Sequence, residues 1–229
     1  MPRPAIAVMA VAAILLAAGA ARAAGATDDG TTRCRSEAHR GLTAACETAL
    51  ETRPHDPELH ALLGEAYFAS GFYGEGLQSL HAAIDASGGD ADYRYRFAGF
   101  AALINEFTKA TDELERVVAA RPRDVRAWAL LAVCYRFMKD DARALHAGRR
   151  AAELGDAAEA YALAARYATG DGLARDAREG QRWLRRAANR GYVAAMQDLA
   201  DLYATGRPGI PPDPARQHYW EDALRQATN

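Results

Sequence analysis

Large and small apolar residues recur along this chain at fixed intervals, with helical spacing inside each recurrence. The pattern Leu-x-x-x-Tyr-Ala-Thr-Gly occurs twice, 36 residues apart, at residues 163–170 and 199–206. Farther upstream, a large residue followed by a small one recurs every 34 residues. These pairs are Leu63-Gly64, Phe97-Ala98 and Leu131-Ala132. Because a unit of this size cannot bury its own apolar face, the repeats predict stacked helical units that together form an extended surface.

The small residues of the pattern indicate close helix packing and require no ligand. A small side chain lets two helix backbones approach, while a neighbouring large side chain fills the remaining space. Gly76, Ala110 and Ala144 supply a facing small residue at the same interval of 34 residues. The starts of helices are marked as well. Asp56 and Asp124 each stand two residues after a proline, where their side chains are predicted to cap the next helix.

Three of the units resemble the tetratricopeptide repeat. The residues that carry this resemblance are Leu63, Gly64, Tyr67, Ala83, Phe97, Ala98, Ala101, Val117, Trp128, Leu131, Ala132, Tyr135 and Ala151. Two later units resemble the related Sel1-like repeat, which has a longer turn that contains glycine. Its matching residues include Ala160, Leu163, Tyr167, Gly170, Gly172, Asp176, Trp183, Leu199, Tyr203, Gly206, Gly209, Asp213 and Trp220. Together the resemblances imply an all-α fold, a right-handed α-solenoid of antiparallel helix pairs that acts in protein interactions or assembly.

The predicted domain boundaries follow these repeats. A partial helical unit occupies residues 34–55, and three tetratricopeptide-like repeats follow over residues 56–156. Two Sel1-like repeats are predicted over residues 157–229. One continuous array is therefore expected.

The N-terminus has the features of a secretory signal peptide, predicted over residues 1–23. Arg3 is followed by an apolar run over residues 5–18 and by a small-x-small cleavage pattern at residues 21–23. We expect the mature chain to be periplasmic or secreted, and residues 24–33 to form a flexible leader. The alternative is an uncleaved N-terminal anchor, although the run is short for a membrane span. After cleavage, no transmembrane segment is expected.

In an oxidising compartment, the three cysteines favour one disulfide and one buried thiol. Cys34 and Cys46 lie at equal distances from a predicted turn at residue 40, which would place them opposite each other in an antiparallel helix pair. Two buried free thiols are the alternative. Cys134 lies within an apolar helical pattern, so we expect it to be buried and inert, with a reactive thiol as the alternative.

Composition and motifs give no indication of catalysis. The chain has 229 residues and a formal net charge of −2, so it has no overall attraction to nucleic acid or membranes. None of its six histidines form a pair at the spacing that places two metal ligands on one helix face. Gly170 and Gly172 follow a helix and not a strand, which favours a glycine turn over a phosphate loop. We therefore expect no enzyme activity, no catalytic residues, no metal site and no cofactor.

Two surfaces are candidates for binding. By analogy with tetratricopeptide repeats, the first helix of each unit lines a concave groove, and an ordinary amphipathic face is the alternative. The groove candidates are Glu58, Glu65, Phe68, Tyr95, Arg96, Leu103, Arg126, Arg136 and Phe137. The second surface is a basic stripe made by residues four positions apart, Arg178, Arg182 and Arg186, for which a solvated face is the alternative.

These surfaces lead to three functional hypotheses. The first is a periplasmic adaptor that binds a peptide or helix of an envelope protein in the groove. The second is a module that binds cell-wall glycan or lipopolysaccharide, an anionic envelope component, through the basic stripe. The third is a secreted hydrolase resembling cysteine-rich Sel1-like proteins. It is the weakest of the three, because this chain lacks the cysteine pair that those proteins have in each repeat. No nucleic acid partner is expected.

Overall fold

A computed structural model describes residues 29–207 and 210–228 of the chain. The described residues form twelve α-helices and no β-strand, apart from an isolated bridge between Arg207 and Ile210. The helices are α1 (Asp29–Ala38), α2 (Ala44–Thr52), α3 (Pro57–Ala69), α4 (Tyr73–Ala86), α5 (Ala91–Leu103), α6 (Phe107–Ala120), α7 (Val125–Phe137), α8 (Asp141–Leu154), α9 (Ala157–Thr169), α10 (Ala177–Asn189), α11 (Val193–Thr205) and α12 (Pro214–Thr228). The predicted all-α repeat fold is confirmed.

The helices form pairs, each joined by a turn, and the pairs belong to two compact units. The first unit contains α1 to α6 and ends at Pro122, and the second begins at Arg123 and contains α7 to α12. Each unit buries its own apolar cluster. The first packs Leu59, Leu62 and Leu63 around the two N-terminal cysteines, and the second includes Leu199, Tyr203, Trp183 and Trp220. The division therefore falls between the second and third tetratricopeptide-like repeats.

The predicted flexible leader at residues 24–33 overlaps the first helix, which begins at Asp29. A hydrogen bond joins this segment to the residue that caps the end of α2. The Arg53 guanidinium donates to the Thr31 hydroxyl at 2.9 Å. Residues 24–28 and the predicted signal peptide at residues 1–23 lie outside the described residues.

Aspartate caps begin the first helices of the repeats, as the sequence predicts. Asp56 accepts hydrogen bonds from the backbone N–H groups of Glu58 and Leu59, at 3.0 and 3.2 Å. Asp124 accepts equivalent bonds from Arg126 and Ala127. Each cap satisfies backbone donors that have no partner within the helix, so it fixes where the repeat begins.

The approach of α3 to α4 depends on two glycines. A Cβ atom on Gly64 would lie 2.8 Å from Leu80 Cγ and 2.9 Å from the Gly76 carbonyl oxygen. A Cβ atom on Gly76 would lie 2.4 Å from the ring of Phe68. Both positions therefore permit a backbone separation that any larger residue would prevent, in agreement with the sequence prediction of close packing.

The turns of the two 36-residue units share two features, a glycine at the end of the preceding helix and a backbone hydrogen bond from an aspartate. Gly170 and Gly206 end α9 and α11 with positive φ angles of 84° and 71°, a region that favours glycine. After each turn, an aspartate N–H returns to the preceding helix. Asp176 donates to the Tyr167 carbonyl at 2.9 Å, and Asp213 donates to the Tyr203 carbonyl at 2.8 Å. These bonds set the start of α10 and α12 relative to the helix before them.

The cysteines are arranged as the sequence predicts. Cys34 of α1 and Cys46 of α2 form a disulfide, with their Cα atoms 4.6 Å apart. Cys134 is a buried free cysteine within α7. Burial raises the pKa of its thiol to about 12. Because the thiolate is the reactive form, Cys134 is inert at neutral pH in the folded chain.

Candidate functional site

Charged side chains of three first helices form a network on the first unit. The Arg96 guanidinium on α5 donates to Glu58 at 2.8 Å and to Glu65 at 2.6 Å, both on α3. From α1, Arg35 donates to the second oxygen of Glu58 at 3.1 Å. The Tyr93 hydroxyl on α5 also donates to Glu58, at 3.4 Å. We call these five residues the first-unit charge network.

Partial burial and neighbouring charges shift the pKa of two members of this network, Tyr93 and Arg96. Burial, followed by the charge of Glu58, raises the pKa of Tyr93 to about 12. Burial by itself would lower the pKa of Arg96, but the charges and hydrogen bonds of Glu65 and Glu58 outweigh it and raise that pKa. Tyr93 therefore remains a neutral donor and Arg96 remains a cation at any physiological pH.

The structure brings some of the predicted groove residues of the first unit together and buries others. Glu58, Glu65 and Arg96 meet in the charge network. Phe68 and Tyr95, by contrast, are only 7% and 2% exposed and belong to the core. Phe68 is covered because its ring packs against Phe100, with ring centroids 4.5 Å apart. The prediction that these two aromatic residues line an open groove is therefore wrong.

Leu103 is half-buried at the end of α5. It lies at the C-terminal end of α5 and is not part of the first-unit charge network.

The predicted groove residues of the second unit remain at the surface of α7. Arg126 is exposed and pairs with the capping Asp124 at 3.3 Å. Arg136 is also exposed and forms a two-fold hydrogen bond with Glu159 of α9, at 2.7 and 3.1 Å. Phe137, the next residue, is 45% exposed. The end of α7 therefore presents an exposed aromatic ring and a guanidinium group on consecutive residues.

Comparisons with known proteins agree with this helical architecture. Residues 68–134 match the family model of the tetratricopeptide repeat. The crystal structure of MamA is similar with a TM-score of 0.60 and 21% identity, over 74% of this chain and 98% of MamA. A Sel1 repeat protein from Oxalobacter formigenes is similar with a TM-score of 0.57 and 24% identity, over 86% of each chain. The family model places tetratricopeptide repeats within residues 68–134, and the structural similarities show a helical-repeat fold.

A third similar structure is a protective antigen present in uropathogenic Escherichia coli strains, which displays an SLR fold. Its TM-score is 0.60 at 17% identity, and the match covers 87% of this chain and 46% of the antigen. No curated protein matches the sequence. At these identities, the structural comparisons show the fold and leave function to the residues.

The basic stripe lies on the second helix of the first predicted Sel1-like repeat. Arg178, Arg182 and Arg186 are all exposed on α10. Arg182 pairs with Glu179 at 3.0 Å, and the Arg186 guanidinium lies over the Trp183 ring, 4.7 Å from its centroid. Exposed pairs of this kind contribute little to stability, so these cations remain available to an anion.

Sequence reasoning missed three residues of these surfaces, Arg35, Tyr93 and Glu159. A signal for two of them is present in the spacing. Arg35 and Glu58 are 23 residues apart, and so are Arg136 and Glu159. In both cases an arginine late in one first helix pairs with a glutamate early in the next first helix. This recurring distance identifies pairs that connect neighbouring repeats.

The described residues contain no group of three or more histidine, cysteine or acidic side chains suited to hold a metal ion. Among the same residues, no helix is long and apolar enough to cross a membrane. The surfaces above are made of guanidinium, carboxylate and aromatic groups, whose arrangement suits recognition of another molecule.

Proposed function

We propose that this chain is a non-catalytic periplasmic scaffold that holds a peptide or helix of an envelope partner against the first helices of its repeats. Tetratricopeptide and Sel1-like repeats support this role, because stacked repeats present extended binding surfaces. The disulfide supports an oxidising compartment, since such bonds persist outside the cytosol. The predicted signal peptide supports the same location.

The first-unit charge network is the single observation that carries the proposal. It connects α1, α3 and α5, which are the first helices of three consecutive pairs. Its side chains hold one another in position before a partner arrives, so a partner loses less side-chain entropy on binding. A guanidinium has five N–H donors, and both arginines of the network therefore retain donors for a partner's carbonyl or carboxylate groups.

The exposed end of α7 supports the same role in the second unit. Aromatic and arginine side chains are enriched at the energetic centres of protein interfaces. Phe137 and Arg136 provide one of each, and Met138 beside them is 37% exposed. A partner peptide would find apolar contact area and a guanidinium group at the same end of this helix.

A pull-down from periplasmic extract tests the proposal, with the chain from residue 24 as bait and elution in rising salt. We expect a stoichiometric protein that leaves only at high salt, because the surface is charged. Arg35→Glu and Arg126→Glu should each release it at lower salt, because Arg35 belongs to the first-unit charge network and Arg126 is exposed on α7. Arg178→Glu on α10 is the matched control and should elute like the wild type. Unchanged elution of both variants, despite native circular dichroism, would place binding elsewhere.

The same experiment separates a second candidate function, the binding of cell-wall glycan or lipopolysaccharide. The exposure of the basic stripe on α10 favours this alternative. If this second function is correct, the pull-down recovers glycan or lipid without a dominant protein. The variants then exchange roles, with Arg178→Glu losing the bound material and Arg35→Glu and Arg126→Glu retaining it.

A further inference from the structure

A cavity of about 110 Å³ lies in the second unit, where α7, α8 and α9 meet. Its charged lining consists of Arg136 from α7, Arg149 from α8, and Glu159 and Arg166 from α9. The rest of the lining is apolar or small: Ala144, Leu145, Gly148, Ala162 and Leu163. We call this cavity the second-unit pocket. It is distinct from the basic stripe on α10.

The charges of the second-unit pocket do not balance. Both oxygens of the buried Glu159 accept hydrogen bonds from Arg136, so this carboxylate is already neutralised. Arg149 donates to the Tyr167 hydroxyl at 3.2 Å. Among the described residues, no carboxylate pairs with Arg149 or Arg166. Two guanidinium groups, both partly buried, therefore line a small cavity without a compensating anion.

We propose that the second-unit pocket binds the carboxylate of an aspartate or glutamate side chain in a partner peptide. The proposal rests on the proposed scaffold function and names the partner's chemistry. The planar fork of arginine matches a carboxylate, and hydrogen bonds between two charged groups are about twice as strong as neutral ones. Partial burial strengthens the attraction because less water screens the charges.

The size and lining of the pocket favour an acidic side chain over a free phosphate. A volume of 110 Å³ corresponds to about three or four water molecules. That is room for a carboxylate with its adjoining methylene groups. The methylenes would contact Leu145, Ala162 and Leu163, while phosphate offers nothing to this apolar wall. The pocket therefore selects an anion that carries a short apolar stem.

Nuclear magnetic resonance of arginine Nε–H groups in the full chain tests the proposal. The probe is the peptide acetyl-Gly-Glu-Gly-amide, compared with its glutamine analogue and with inorganic phosphate. We expect the glutamate peptide to shift the Arg149 and Arg166 signals saturably, with little effect from the analogue and weaker binding of phosphate. Equal shifts from the analogue would overturn the proposal, as would tighter binding of phosphate.

Variants of the pocket complete the test. The double variant Arg149→Gln with Arg166→Gln should bind the glutamate peptide about tenfold more weakly or worse. Arg178→Gln, which removes an exposed charge from α10, is the matched control and should bind as the wild type does. Ala162→Leu keeps every charge and narrows the pocket, so it should weaken binding too. Wild-type affinity in the folded double variant, or equal losses in the double variant and the control, would refute the pocket.

The outcome is separable from that of the scaffold proposal. If the pull-down recovers a partner that the pocket variants bind normally, the scaffold stands and the pocket proposal fails. If the peptide binds the pocket but no protein is recovered from the extract, the pocket stands and the scaffold fails.

Discussion

Replacing Gly64 with leucine should lower the free energy of unfolding of the first unit by about 3 kcal/mol or more. The added side chain would meet Leu80 and the carbonyl oxygen of Gly76, and a backbone atom cannot rotate away as a side chain can. The helices α3 and α4 would have to separate. Urea unfolding followed by circular dichroism measures the loss, and hydrogen exchange of the α3 and α4 amides localises it.

Gly74→Leu is the matched control, because Gly74 lies in α4 with nothing within 4 Å of an added Cβ. Leucine is the better helix former, so this variant should gain up to about 1 kcal/mol. The two substitutions are chemically identical and should have opposite signs. A loss of stability in both variants, or in neither, would contradict the close approach of α3 and α4.

Removal of the Cys34–Cys46 disulfide should destabilise the N-terminal helix pair by about 3 kcal/mol. The bond closes a short loop, with a sequence separation of 12 residues, and restricts the unfolded chain. Cys34, Ala38 and Cys46 of this helix pair are fully buried, in an apolar cluster that the pair shares with α3. Hydrogen exchange in α1 and α2 should therefore rise when the bond is reduced.

The double variant Cys34→Ala with Cys46→Ala distinguishes the effect of losing the disulfide from any other effect of the reductant. It should show the same loss without a reductant, and a reductant should not change it further. If wild-type stability is the same with and without a reductant that cleaves the bond, the loop-closure explanation fails. An effect of the reductant on the double variant would point to another target.

The repeat architecture was accessible from sequence because its determinants are local. The aspartate caps, the large-small pairs and the Sel1-like glycine turns each act over a few residues, and each recurs at a constant interval. Such signals accumulate over successive repeats, so one weak match does not obscure them. The facing position of Gly76 was predictable for the same reason.

The details of the surface were less accessible, because they depend on how neighbouring helices are rotated and offset. Analogy placed Phe68 and Tyr95 on the groove wall, whereas the packing of Phe100 against Phe68 and the burial of Tyr95 place both in the core. The pairing of Glu58 with three different side chains requires α1, α3 and α5 to meet at one level. Residue spacing within one helix cannot supply that register.

The second-unit pocket illustrates the same limit. Arg149 and Arg166 belong to different repeats, and nothing in the sequence indicates that both line a cavity with Glu159. The packing of α7, α8 and α9 shows that Arg136 pairs with Glu159, whereas Arg149 and Arg166 have no carboxylate partner among the described residues. The recurring interval of 23 residues could have led to the pair of Arg136 and Glu159, although not to the cavity beside it.

Site-specific photo-crosslinking tests the scaffold proposal most directly. A benzophenone amino acid would replace Tyr93 on α5 or Phe137 on α7 in the full chain, and cells would be irradiated before extraction. Matched control positions are Asp112 on α6 and Glu153 on α8, which are exposed on second helices. The account predicts that one envelope protein crosslinks from both first-helix positions and not from the controls. Crosslinking from the second-helix positions at equal or higher yield would contradict it.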